Sequence, residues 1–391
     1  MRDIPQISNE FEFGVSNTTA AEVIAKKEDL SLLHEVNPRD VVELNVSLAK
    51  DLDELNKRAA EDISKLVTIV NSMGGIIYGG GSVLADVSDI EPARYRTTSL
   101  SNTFARGMLD ITSQQIVIGV TDEQLGFELY EYFGHIRPAL LALSASSPFS
   151  QQGNMLIDTG LQSRRIKQYE QARRHFPESM FNPPRITSLQ EYTAALRNAS
   201  NEVNRMLEEG KLDANWEELR KIRQKGEQTY WYYPFDVLEP HQVFWPERPR
   251  PDHRNIEKGG PSQLSVELRV PDMPISVWRV QMLNSFVAGL AYYIADNEVV
   301  LPRPFKTNSL QRAAENGLRA QINGLYMPEA IHHIQQYALQ GLHGRGYDAR
   351  KLEESLERTA WVGTDAEIVR EQKPKSPEQL REYLAEQLRQ Q

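Results

Sequence analysis

The sequence predicts an α+β protein: a sheet with one polar face and one apolar face covered by helices. Two observations carry that expectation. Four short segments spread along the chain alternate apolar and polar residues with a period of two, and the stretches between them hold long helical stripes. A third observation gives the sheet a purpose: on most of these strands the polar side is acidic.

The most informative strand is residues 263–272. Leu264, Val266, Leu268 and Val270 fall on one face, and Ser265, Glu267 and Arg269 on the other. Glu267 and Arg269 stand roughly 7 Å apart along that face, a pairing that suits holding a metal ion and a polyanion together. Taken alone, it is equally a solvent-facing salt-bridge strand. The other strands decide. Residues 9–14 place Phe11 and Phe13 on one side and Glu10 and Glu12 on the other; residues 41–48 set Val42, Leu44, Val46 and Leu48 against Glu43, Asn45 and Ser47. Residues 114–120 carry Ile116, Ile118 and Val120 inward, with Gln115, Val117 and Gly119 on the polar side. Acids from three strands on one side repel unless a cation sits among them. Oxygen donors without cysteine point to magnesium or manganese, not zinc.

Between the strands, an amphipathic helix is expected over 48–72, stopped by Gly74 and Gly75. Residues 76–78 form a short strand running into Gly79-Gly80-Gly81-Ser82, which without a following lysine is no phosphate-binding loop. Arg94-Tyr95-Arg96 lie in an irregular loop. Thr121 to Gln124 cap a helix to about His135, and Arg137-Pro138 should break it before the apolar run 139–143. Residues 144–165 read as a long polar loop ending in Arg164 and Arg165. A helical insertion is expected over 187–228, opened by a capping box at Ser188, followed by aromatic-rich β-like sequence over 231–245 and a loop over 248–260. Residues 275–296 must be a buried helix. The rest is helical, ending on a cap at Ser376 with Pro377 at the first helical position.

Bulk composition narrows the partners. A net charge of −10 argues against nucleic acid and anionic membranes, and the absence of cysteine excludes disulfides, thiol catalysis and thiolate metal sites. With no apolar leader and no long apolar run, a cytoplasmic protein is expected.

Taken together, residues 143–149, residues 158–164 and Ser265-Val266-Glu267-Leu268-Arg269-Val270-Pro271-Asp272 resemble the carboxylate–amine ligases of the glutamate–cysteine ligase type. Glu10-Phe11-Glu12 before them and residues 308–317 after them fall in the family's order. The resemblance implies a glutamine-synthetase-like catalytic domain over 1–320, a curved, mainly antiparallel sheet forming a cup with helices packed on its outer face, and a helical extension over 321–391. It also implies ATP with Mg2+ or Mn2+ as cofactors, and amide formation through an acyl phosphate on glutamate or a similar acid. Small-molecule acid and amine substrates follow, with a homo-oligomer or a paralogue as the partner the family admits. On the same resemblance Glu10, Glu12, Glu43 and Glu267 are metal ligands. Arg164 and Arg269 contact phosphate or substrate carboxylate as catalytic residues, and Arg165 and Arg312 join them in nucleotide binding. The chain departs from the family twice. A family His-x-His pair is replaced by Gln115-Ile116-Val117, and a Gly-Thr-His-Pro turn by Gly80-Gly81-Ser82-Val83. His34, His135 and His241 are the histidines that could stand in. The amine is therefore expected to differ from cysteine, with an inactive pseudoligase as the alternative.

Overall fold

The computed structural model describes residues 4, 6–26, 29–34, 41–84, 111–173, 247–251, 264–297 and 309–390, with scattered positions between 187 and 209. In chain order the elements begin with β1 (Gln6–Ser16), α1 (Ala20–Ala25), β2 (Leu32–His34), β3 (Val41–Ala49), α2 (Leu52–Ser72), β4 (Ile76–Tyr78) and β5 (Gln114–Val120). Next come α3 (Glu123–Ser144), β6 (Phe149–Gln152), β7 (Met155–Asp158), α4 (Arg164–Arg173), β8 (Glu247–Pro251), β9 (Leu264–Leu268) and α5 (Val277–Asn297). The chain closes with α6 (Ser309–Asn316), β10 (Gln321–Ile322), β11 (Leu325–Tyr326), α7 (Met327–Gly344), α8 (Arg350–Val362), α9 (Asp365–Glu371) and α10 (Pro377–Arg389).

Among the described residues, seven strands make one open antiparallel sheet in the order β2-β3-β1-β5-β9-β8, with β4 also paired to β1. The alternation read from sequence is the alternation of its two faces. Phe11, Phe13, Val42, Leu44, Ile116, Ile118, Val266 and Leu268 are buried in one continuous apolar core with residues of α2, α3, α5 and α7. One face of the sheet is thus sealed by helices, and the other is left to polar residues. Among the described residues, no helix is long and apolar enough to cross a membrane.

Apolar residues of α7 and α8, with Ile322 and Leu388, share this core, whereas Val369, Leu380 and Leu384 of α9 and α10 pack in a second, smaller cluster with Tyr78, Leu84, Phe149 and Ile275. Helix α7 crosses α5 where both are glycine: a Cβ on Gly289 would fall on the Ala338 carbonyl, and one on Gly341 on the Gly289 carbonyl. Only two glycines permit that approach of backbones. Farther along, Arg279 of α5 is fully buried against Asp365 at the start of α9 (Nε to Oδ1, 2.5 Å) and donates to the Gly363 carbonyl (2.6 Å). Asp365 also accepts the Ile275 amide (3.0 Å), fixing the entry to α5.

Four sequence expectations need correction. Helix α2 starts at Leu52, not 48, because the Asp51 side chain caps it by accepting the Glu54 amide (2.8 Å); β3 runs on to Ala49. Helix α3 is capped by Asp122 and does not break at Pro138. Proline there removes the donor that would bond the Gly134 carbonyl, four residues back. The Arg137 guanidinium takes that donor's place through Nε (2.8 Å), so the helix continues. The polar stretch after α3 is not a bare loop; it folds into the β6–β7 hairpin. Finally, 247–251 is a strand paired along β9, although the sequence there is rich in proline. Its prolines lie on a strand at the sheet's edge, where a missing amide is tolerated. Of the expected insertion only scattered positions are described, among them the Ser188 cap (Glu191 amide to Oγ, 3.2 Å). Residues 94–96 and 231–245 lie outside the described residues.

Candidate active site on the polar face of the sheet

The strand register decides which acids can act together. Glu12 lies directly across from Glu43 on β3, and Glu10 lies across from Asn45 on one side and Gln115 on the other. Val117 pairs with Ser8 of β1 and with Glu267 of β9. Directly opposed residues point to the same side of a sheet. The register therefore puts Glu10, Glu12, Glu43 and Glu267 on one face, opposite the helices.

Local bonding shows how each acid stands. Glu12 is buried; Ser113 Oγ donates to one of its oxygens (2.8 Å) and Gln115 Nε2 to the other (3.0 Å). Burial raises its carboxyl above the ordinary value, against the pull of Arg269, the Ser113 bond and Arg165, while neighbouring Glu43 adds to the rise. Glu43 accepts from Asn45 Nδ2 (2.5 Å). Glu267 is 0% exposed and pairs with Arg269 Nη1 (3.0 Å), whose side chain is 21% exposed. Glu10 is half-buried. All of the donors are oxygens, which fits a hard divalent cation. Among the described residues no three acids or histidines are already gathered as a metal cluster. Glu12 and Glu43 accept from neutral donors, and Glu267 pairs with Arg269.

The arginines divide into two kinds. Arg269 sits on the acidic face, and Arg164, at the start of α4, is partly buried with Nε directed to Ser82 Oγ (3.3 Å). Arg165 is spent inside the fold. Its guanidinium donates to three consecutive backbone carbonyls, those of Arg269, Val270 (3.2 Å) and Pro271 (3.2 Å). Arg312 is exposed on α6 and bonds the Gln321 carbonyl (3.0 Å), outside the sheet.

The positions where the chain departs from the family pattern are equally clear. Gln115 reaches the acidic face and serves Glu12, so it keeps a polar role there. Val117 occupies the same face with no group able to ligate or transfer a proton. Ser82 is buried and accepts the Arg164 bond; Val83 is buried apolar core. His135 lies on α3 in the helical layer. The His34 side chain and His241 fall outside what is described.

One residue carried by the motif but not singled out from sequence is Asp272. It is fully buried, and burial lifts its carboxyl above the ordinary value against Arg165 and the bonds it accepts. Its signal was its place two residues beyond the alternating run, where a strand pattern says nothing about loops.

The chain superposes on the glutamate–cysteine ligase of Francisella tularensis, solved in complex with AMP, with a TM-score of 0.64 at 12% identity, covering 100% of this chain and 90% of that one. A bifunctional glutathione synthetase from Pasteurella multocida aligns with a TM-score of 0.51 at 12% identity, over 98% of this chain and 52% of that one. The sequence matches the model of glutamate–cysteine ligase family 2 over residues 8–363, and the chain belongs to that family. A Legionella pneumophila (strain Corby) protein carrying the provisional name glutamate–cysteine ligase 2-2 is 22% identical over 267 residues. That match takes in 67% of this chain but spans only 58% of the relative's length.

Proposed function

We propose that the protein is an ATP-dependent carboxylate–amine ligase whose site lies on the acidic face, shaped as the cup expected from its family. The observation that carries this is the register, which puts Glu10, Glu12, Glu43 and Glu267 with Arg269 on one face of the sheet, opposite the apolar core. Family membership and the AMP complex of the Francisella protein support an adenine nucleotide as the ligand of that face. Glu12, Glu43 and Glu267, with Glu10 beside them, would hold magnesium or manganese. When bound, the cation neutralises charge on the phosphate oxygens. Arg164 and Arg269 supply the remaining positive charge, as bidentate donors to phosphate or to the substrate carboxylate. The terminal phosphoryl group passes to the acid, glutamate or a close relative, and an amine displaces phosphate from the acyl phosphate to leave an amide.

Val117 bears on the second substrate. With an aliphatic side chain where the family pattern has histidine, the acidic face lacks that proton acceptor, so the amine must arrive neutral or lose its proton to a carboxylate or to solvent. This supports an amine other than cysteine. The same observation favours the alternative, a pseudoligase that keeps the fold as a binding or scaffolding module, paired with an active paralogue. Protein incubated with Mg-ATP and a mixed amino-acid pool, followed by mass spectrometry of the products, separates the two. A new amide together with ADP supports the ligase; nucleotide binding without product supports the scaffold; neither binding nor product refutes both.

A further inference from the structure

The geometry points to Asp272 as the positioning residue that fixes Arg164 and Arg269 relative to one another. This inference rests on the ligase reading and adds to it the part that sets the spacing of its two arginines. Arg164 and Arg269 come from segments 105 residues apart in the chain, yet the reaction asks both to meet one anionic substrate. Such convergence needs a rigid bridge, since a misplacement of about 1 Å costs on the order of 10²-fold in rate.

Asp272 provides the bridge. Its Oδ1 accepts from Ser163 Oγ (2.9 Å) and lies 3.9 Å from Arg165 Nε. Its Oδ2 accepts from Ser147 Oγ (2.8 Å) and from the Ser146 amide (3.2 Å), and its own amide donates to Ser144 Oγ (3.1 Å). Arg164 is flanked by two of these partners, Ser163 and Arg165, and its amide donates to the Ser147 carbonyl (3.0 Å). Arg269 is held from the other end, because Arg165 bonds its backbone carbonyl and the two that follow.

The turn that receives Arg164 is tied to the same carboxylate. A Cβ on Gly81 would lie 2.5 Å from Asp272 Cγ, so only glycine lets that backbone close over it. The Gly81 amide donates to Ser146 Oγ (2.8 Å), and the adjacent Ser82 takes the Arg164 guanidinium. Four segments thus meet at one buried side chain: the Gly79–Ser82 turn, the serine run at the end of α3, the start of α4 and the loop that follows β9. A ligand role for Asp272 conflicts with this bonding, since both oxygens are engaged and no part of it is exposed. A purely stabilising role is poorly served by a carboxylate, because well-packed apolar groups do that at lower desolvation cost.

The test is a double-mutant cycle on the full chain with Asp272→Asn and Arg164→Ala, following ADP release, combined with amide hydrogen exchange. Asp272→Asn is expected to lower kcat/KM about 10–100-fold and to cost several-fold less once Arg164 is already alanine. Exchange should rise together at 80–81, 146–147 and 163–165 while the amides of β1 and β3 keep their protection. Equal cost in both backgrounds, with exchange raised evenly over the whole fold, would overturn the inference. If Asp272→Asn does not fold, Ser163→Ala and Ser147→Ala each remove one donor and enter the same cycle. Should the wild-type chain release no ADP with any acid and amine, the ligase reading fails by itself. The exchange pattern then decides the bridge: concerted loosening of the three segments supports it, and loosening confined to position 272 rejects it.

Discussion

Replacing Glu267 by glutamine is the most informative single perturbation of the acidic face. The change is nearly isosteric, so it removes a charge without opening a cavity. Part of its structural cost falls on Arg269, which loses a 3.0 Å charge-assisted bond but is 21% exposed and can recover some hydration. A bond of that kind contributes about 1.5–3 kcal/mol. Against a typical stability of about 5–15 kcal/mol the variant stays folded. Its effect on chemistry is larger. Losing one preorganised charge at a phosphoryl-transfer site costs about 10²–10³-fold in kcat, or roughly 3–4 kcal/mol of barrier. Steady-state ADP release by folded protein, with the fold checked by circular dichroism and a urea midpoint, measures the two effects separately. A variant that retains more than a third of wild-type kcat would refute the placement of the cation site at Glu267.

Three further outcomes follow from the same geometry. Arg164→Ala should raise the KM for ATP or for the acid about tenfold or more, as expected for a lost charge-assisted contact; unchanged constants would make Arg164 a purely structural partner of Ser82. Because burial raises the Glu12 carboxyl, the folded chain keeps a proton that the unfolded chain gives up. Its contribution to stability is present at low pH and is lost as pH rises through the folded value. Cation binding must displace that proton, so the apparent affinity for Mg2+ should climb with pH and level off once Glu12 is ionised. Glu12→Gln should flatten the curve in a calorimetric titration, and an unaltered slope would remove Glu12 from the site. Asp365→Ala strands the buried Arg279 charge and should cost about 3–5 kcal/mol in the urea midpoint; a loss under 1 kcal/mol would show that water reaches Arg279.

What could be read without coordinates was whatever repeats at short range. The period of two in β1, β3, β5 and β9 assigned every acid to its face, and the register agrees, because a slip of one residue would turn the carboxylates into the apolar core beneath the helices and move Phe11 and Phe13 to the polar side. The apolar helix α5 and the Ser376 cap were legible for the same reason. Long-range compensation was not legible. Nothing local says that the Arg137 side chain will satisfy the carbonyl freed by Pro138, or that the proline-bearing segment at 247–251 will find β9. Nor does composition show that Arg165 is consumed by backbone carbonyls, or that Asp272 collects partners from three distant segments. Those facts depend on which segments the topology brings together.

On the reading proposed above, the acidic face binds a nucleotide through a divalent cation. Calorimetric titration of ATP into the wild-type chain, with magnesium and then with excess chelator, tests it most directly. Binding that needs the cation, and that Glu43→Gln and Glu267→Gln each weaken about tenfold or more, is the predicted result. Equal affinity with and without the cation, or binding indifferent to both substitutions, would contradict it.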